Sequence, residues 1–259
     1  MKAKPYIGIT GFKTVEEITA AKDAFAENGI ENKGYLAMFG FLCSQKKLDD
    51  INLEGTQSPA LSRIPELASG LPAWALPMMH YHTKEKDTLD DQVKRLFQIN
   101  DLYNRRICNS VQLNVDWPSI RSLGNIISEM PGMKIVLQFP NRAIEGLSIG
   151  EIAAKAGKYA KLASYALIDK SGGKGVSLDT GFSTDLMLAL REAMPNTRIG
   201  LAGGLSGENV AGIISGVSEK FDEPFCIDAQ GRLRTEDKLS LDKSKVADYA
   251  RESGKYFFK

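Results

Sequence analysis

The sequence predicts an α/β chain folded as a single (β/α)8 TIM barrel over residues 1–259. Two observations carry this prediction. A chain of 259 residues with 43% hydrophobic and 25% charged side chains has the size and balance of one such barrel. Strand-like and helix-like stretches alternate almost without interruption, and counting them gives eight pairs. An open, doubly wound sheet of eight parallel strands shows the same alternation and stands as the runner-up.

The first strand covers residues 6–10. After Gly11, Thr14-Val-Glu-Glu17 has capping-box spacing and opens an amphipathic helix to about residue 27, which Asn28-Gly29 stops. The second strand is read over 34–39. A long loop follows, then a helix over 58–69 with Ser58-Pro59 as N-cap and first residue. Strand three covers 74–81, and in the helix over 88–103 Leu89, Val93, Leu96, Phe97 and Ile99 form one apolar stripe. Strand four spans 108–115; Trp117-Pro118-Ser119 leads into a helix ending before Pro131, and strand five spans 133–139. A helix over 148–159 precedes strand six at 165–169. Beyond a glycine-rich loop come a helix over 183–194, strand seven at 198–202, a helix over 206–217, strand eight at 225–228 and a closing helix over 241–252.

Charge and composition exclude several classes of partner. A net charge of +1 without any run of like charges gives no field for nucleic acid. No apolar run reaches about 18 residues, and the amino-terminal apolar run is too short for a signal peptide, so a cytoplasmic protein without a membrane span is expected. Cys43, Cys108 and Cys226 are odd in number, far apart and outside any Cys-x-x-Cys, which points to reduced thiols. A homodimer stays open, since no helix face singles out its surface.

In a barrel of this kind the chemistry sits on the loops at the carboxyl ends of the strands. There the run Gly200-Leu-Ala-Gly-Gly-Leu-Ser-Gly-Glu-Asn-Val210 reads as strand, paired-glycine turn and helix start. Gly203 and Gly204 carry no Cβ, so their amides can turn to an anion. Ser206-Gly-Glu-Asn209 reads as an N-cap and first turn, whose unpaired N–H groups favour phosphate. A plain tight turn is the alternative. Gln230 and Gly231, after strand eight, would complete the phosphate site; Arg232 and Arg234 either add charge there or are solvated.

Asp169 closes strand six after apolar residues, where partial burial raises a carboxyl pKa towards neutrality and suits it to general acid or base work. A cap on the following loop is the blander reading. Strand alternation turns Val111, Leu113 and Val115 to the helices and Ser110, Gln112 and Asn114 inward. Gln112, Asn114, Gln138 near the end of strand five, and Asp228 at the end of strand eight are therefore candidate substrate-binding residues. His80 and His82, two apart on strand three, point the same way and are candidates for proton transfer. Such a pair can begin a metal site, but no third ligand lies at a readable spacing, so neither metal nor cofactor is expected. Cys43 is placed in the loop after strand two, where Lys46 and Lys47 could lower its pKa. The Ser171-Gly-Gly-Lys-Gly175 loop lacks P-loop spacing and reads as a flexible lid. Alternation puts Asp169 inward and Lys170 outward, which leaves a Schiff-base aldolase without its lysine.

These motifs resemble the phosphoribosylanthranilate isomerase family of ribulose-phosphate-binding barrels. Tyr6-Ile-Gly-Ile-Thr10 resembles that family's Lys-Ile-Cys-Gly-Ile-Thr, and Val111-Gln-Leu-Asn114 its Val-Gln-Leu-His. Leu167-Ile-Asp169 with its glycine loop resembles the aspartate strand, and Gly203-Gly-Leu-Ser-Gly-Glu-Asn209 the family's Gly-Gly-Leu-Asn-Pro-Glu-Asn. The resemblance implies opening of an aminoaldose ring to an aminoketose, with Asp169 as general acid and Gly203 and Gly204 as phosphate cradle. The family's general-base cysteine falls on Ile7, its histidine on Asn114, and its serine-containing strand-eight stretch on Asp228-Ala-Gln-Gly231. Three functions follow as expectations: an isomerase-like enzyme acting on a phosphorylated sugar or related anion, with His80 or His82 in place of the cysteine; a catalytically silent barrel that binds a metabolite or partner protein; or a metal-assisted lyase.

Overall fold

A computed structural model describes residues 2–169 and 179–257. Eight parallel strands close into a barrel in sequence order: β1 (Tyr6–Thr10), β2 (Leu36–Ser44), β3 (Ala75–His82), β4 (Ser110–Leu113), β5 (Lys134–Pro140), β6 (Tyr165–Asp169), β7 (Arg198–Ala202) and β8 (Cys226–Ala229). Pairing of Gly8 with Asp228 joins β8 to β1 and rules out the open-sheet alternative. The helices are α1 (Val15–Glu27), α2 (Lys46–Asp49), α3 (Ile64–Ala68), α4 (Leu89–Gln98), α5 (Ile120–Glu129), α6 (Asn141–Ile144), α7 (Ile149–Gly157), α8 (Thr180–Ala193), α9 (Val210–Ser218) and α10 (Lys243–Phe257). Among the described residues no helix is long and apolar enough to cross a membrane.

Two apolar layers follow from strand alternation. Outward side chains such as Ile7, Ile9, Phe39 and Phe41 are buried under the helices. Inward ones, including Tyr6, Met38, Met78, Val136, Tyr165 and Cys226, form a plug inside the barrel. Along six of the strands the plug gives way to polar groups towards the carboxyl end: Thr10, His80, Gln112, Gln138, Asp169 and Asp228 are all at least nine-tenths buried. The apolar plug lies beneath this polar layer, and a pocket opens above it at the carboxyl ends of the strands.

The sequence places several boundaries differently. Strand β2 runs to Ser44 instead of stopping at residue 39, because its alternation continues: Phe41 and Cys43 stay buried, and the strand pairs with β3 as far as Ser44 opposite His82. The stripe over 88–103 ends at Gln98, since Asn100 adopts a left-handed conformation (φ 57°) that no α-helix tolerates. Residues 58–69 hold only a 3-10 turn followed by α3, so Ser58-Pro59 caps nothing. At α1 the capping box is present as expected, Thr14 and Glu17 exchanging hydrogen bonds. Helix α8 starts at Thr180 with the Asp179 side chain accepting from the Phe182 N–H.

The segment after β7 departs most from expectation. Ser206 does not cap a helix; α9 begins only at Val210, and residues 206–209 form a turn. Asn209 holds that turn, its Oδ1 accepting the Ser206 N–H at 2.9 Å and its Nδ2 donating to the Gly204 carbonyl at 2.8 Å. An asparagine that can serve backbone donor and acceptor at once outcompetes a serine cap.

Candidate active site

The open end of the barrel encloses about 390 Å³. Every residue predicted for the site lines it: His80 and His82 from β3, Gln112 and Asn114 from β4 and the turn after it, Gln138 from β5, Asp169 from β6, Gly203 and Gly204 after β7, and Asp228, Gln230 and Gly231 from β8 and beyond. The Ser171–Gly175 loop and Lys170 lie outside the described residues.

Two hydrogen-bonded groups form the floor of this pocket. In one, Gln138 Nε2 donates to Asp169 Oδ2 at 2.7 Å, and Gln112 Nε2 approaches Gln138 Oε1 at 3.5 Å. The buried Gln112 Oε1 accepts nothing from the protein among the described residues. Burying an amide oxygen without a donor costs about 1–3 kcal/mol.

In the other group the Thr10 hydroxyl lies 2.9 and 3.1 Å from the two oxygens of Asp228 and 3.4 Å from His80 Nε2. Gly40 makes the contact between Thr10 and His80 sterically possible. A Cβ at that position would stand 2.5 Å from Thr10 Oγ1 and 2.8 Å from His80 Nε2. Burial, followed by repulsion from Asp169, pushes the Asp228 carboxyl up to about 7, against the lowering effect of the Thr10 hydrogen bond. Burial pushes His80 down to about 3, so its imidazole is neutral and a weak base. His82 is exposed at the rim, its Nδ1 3.0 Å from the Asn114 carbonyl.

The paired glycines turn as only glycines do easily: φ is 103° at Gly203 and 65° at Gly204. Among the described residues neither amide N–H has an acceptor, and both residues line the pocket. Across the turn after β8, Gln230 Nε2 donates to Gln57 Oε1 at 3.3 Å and ties the long loop after β2 to the rim. Lys47 anchors the same loop from beneath, donating to the carbonyls of Leu53 and Pro59.

Two expectations, for Cys43 and Arg234, are corrected here. Cys43 lies on β2, not in a loop, and burial pushes its thiol up to about 12, outweighing the opposing effect of Lys47. Only about one thiolate in 10⁴ would exist at pH 8. With all three cysteines free and buried, a thiol-reactive disulfide reagent at pH 8 is expected to titrate none in the folded protein and three once guanidinium unfolds it. Early labelling of one thiol would contradict this burial. Arg234 is neither solvated nor in the pocket: it is 1% exposed and donates through Nη2 to the Gly11 carbonyl. Arg232 lines a separate surface cleft with Glu208, Lys238 and Lys245. Ile7 faces the outer layer under the helices, while Gly8 occupies the inward position beside Asp228. No thiol from β1 therefore enters the pocket.

Two contributors escaped the sequence reading. Thr10 is the last inward residue of β1, a place that alternation from Tyr6 would have assigned. Arg142 enters the rim only because α6 turns the chain back after Pro140. It donates to Asn114 Oδ1 at 2.7 Å and to Asp116 at 3.1 Å, and brings a cation to the pocket that the glycine turn also lines. Among the described residues no group of three or more His, Cys, Asp or Glu side chains is placed to hold a metal ion.

The closed eight-stranded barrel matches known structures over nearly its whole length. Phosphoribosyl anthranilate isomerase from Thermus thermophilus superposes with a TM-score of 0.63 at 15% identity, covering 97% of this chain and 98% of that one. This chain is similar in fold to phosphoribosyl anthranilate isomerase. The Thermotoga maritima isomerase gives a TM-score of 0.62 at 18% identity over 96% and 98% of the two chains. A third structure of phosphoribosyl anthranilate isomerase, in complex with reduced 1-(o-carboxyphenylamino)-1-deoxyribulose 5-phosphate, gives 0.60 at 16% identity over 96% and 98%. At such identities the likeness is one of fold. No family model and no curated protein matches the sequence.

Proposed function

We propose that the open end of the barrel binds a phosphorylated sugar or a related anion and catalyses an aldose–ketose type isomerisation, or a kindred proton transfer, upon it. One observation carries this reading: Gly203 and Gly204, whose amides have no acceptor among the described residues, line the same cavity as the buried Asp169. A phosphate seated on those amides and on the turn at Gln230 and Gly231 receives backbone donors, which bind anions by fixed geometry and not by net charge. The sugar then extends over the floor, where Gln112 Oε1 offers an acceptor to a hydroxyl and Asp169 serves as the acid for a ring or carbonyl oxygen. That an isomerase of the same fold is held in complex with a deoxyribulose 5-phosphate compound supports this class of ligand.

Gly203→Val tests the cradle. Valine at φ 103° is strained by about 1–3 kcal/mol and brings two methyl groups into the turn. Calorimetric titration with D-ribulose 5-phosphate is expected to give saturable heat with the wild-type protein and none with a folded Gly203→Val. Equal affinity in both would place the phosphate elsewhere. If the sugar phosphate binds but no aldose or ketose phosphate turns over, the catalytically silent reading takes the place of the isomerase.

A further inference from the structure

From the geometry we infer that Asp228 is the general base of this site, accepting the carbon-bound proton of the sugar phosphate, with Thr10 and His80 as its positioning residues. This rests on the function proposed above. The strand-one position that the sequence resemblance assigns to a base holds Ile7, which packs outside the barrel, so the proton must go to another group in the pocket. Asp228 is the second carboxyl there. It closes β8, two strands round from Asp169, and both line the same cavity. The groups facing it are Thr10 and Tyr6 from β1, His80 from β3, Asp169 from β6, Cys226 from β8 and Tyr249 from α10. Among the described residues none of these is a cation. Its ionised form is favoured by the Thr10 hydroxyl and, less, by the Ala229 backbone N–H, and a buried carboxyl titrating near 7 is a stronger base than an ordinary carboxylate while still partly ionised in neutral solution.

The step requires Asp228 ionised and a proton to donate on Asp169. Starting from an open-chain ketose phosphate, Asp228 removes a proton from the carbon beside the carbonyl. The C–H electron pair becomes a C=C bond, and the carbonyl π pair moves to oxygen, which takes the proton carried by Asp169. The resulting enediol then collapses to the aldose as Asp228 returns its proton to the former carbonyl carbon and Asp169 recovers one from the neighbouring hydroxyl. No oxidant or reductant enters. His80, neutral and in contact with Thr10, fixes the direction of the threonine hydroxyl instead of taking the proton itself.

Exchange of the C1 protons of D-ribulose 5-phosphate in D2O, followed by proton NMR beside calorimetric binding, tests this. Wild-type protein is expected to bind and exchange, with a rate that rises with pH through about 7. Asp228→Asn is expected to bind within about threefold and to exchange at least roughly 10²-fold more slowly. Thr10→Val, which removes a donor that favours the ionised form, is expected to retain exchange with its pH midpoint moved upward. Undiminished exchange in Asp228→Asn, or binding without exchange by the wild-type protein, overturns the assignment of the base. An unmoved midpoint in Thr10→Val overturns the positioning role. Absence of binding by the wild-type protein removes the proposed function itself, an outcome the binding arm reads separately.

Discussion

Asp169→Asn is expected to lower turnover of the bound sugar phosphate by about 10²–10⁴-fold while leaving its affinity within a few-fold. The carboxyl is 7% exposed and hydrogen-bonded through Oδ2 to Gln138. Asparagine fills the same space and can still pair with Gln138, so shape is kept while the acid–base group is lost. Steady-state rates on the substrate, set beside calorimetric affinity, separate the two effects. A variant as active as the wild type would remove Asp169 from the chemistry; one that no longer binds would make it a binding group.

The largest effect on stability is expected from Phe39→Ala. Phe39 is fully buried on the outward face of β2, its ring 5.2 Å from that of Phe12 and 6.2 Å from that of Phe25. Removing it strips contacts that join β2, α1 and the turn after β1, and the closed barrel cannot collapse around the space. Such truncations cost about 3–5 kcal/mol. At roughly 2–4 °C per kcal/mol for a chain of this length, the melting temperature should fall by about 6–20 °C. Thermal melts monitored by circular dichroism measure it. A fall under 3 °C would mean that the layer under the helices repacks freely.

Most of the architecture was legible because barrel strands obey a strict two-residue alternation. The clean separation of Val111 and Leu113 from Gln112 and Asn114 was enough to orient β4, and the same rule put Asp169 and Asp228 inside. The rule fails at element ends, where one side chain decides the outcome. Asn209, by bonding both ways across its turn, delayed α9 by four residues, and Asn100 ended α4 early. Charge was harder still to place. Cys43 and two lysines looked like an activated thiol in sequence, yet Lys47 is spent on the carbonyls of Leu53 and Pro59 and the thiol lies in the outer core. Arg142 could not be found from sequence at all, since its place on the rim depends on one short helical turn after Pro140. The pairing of Thr10 with Asp228 is likewise a product of barrel closure, joining residues 218 positions apart.

The proposed function makes the amides of Gly203 and Gly204 an anion cradle, and thermal melting with and without aldose and ketose phosphates tests that claim most directly. A ligand at about 100 times its Kd adds roughly 2.7 kcal/mol to the folded state. The melting temperature should therefore rise by about 5–10 °C with at least one sugar phosphate, and not with the same sugar lacking its phosphate. No rise with any phosphate would contradict the cradle and leave the barrel without the ligand its glycine turn implies.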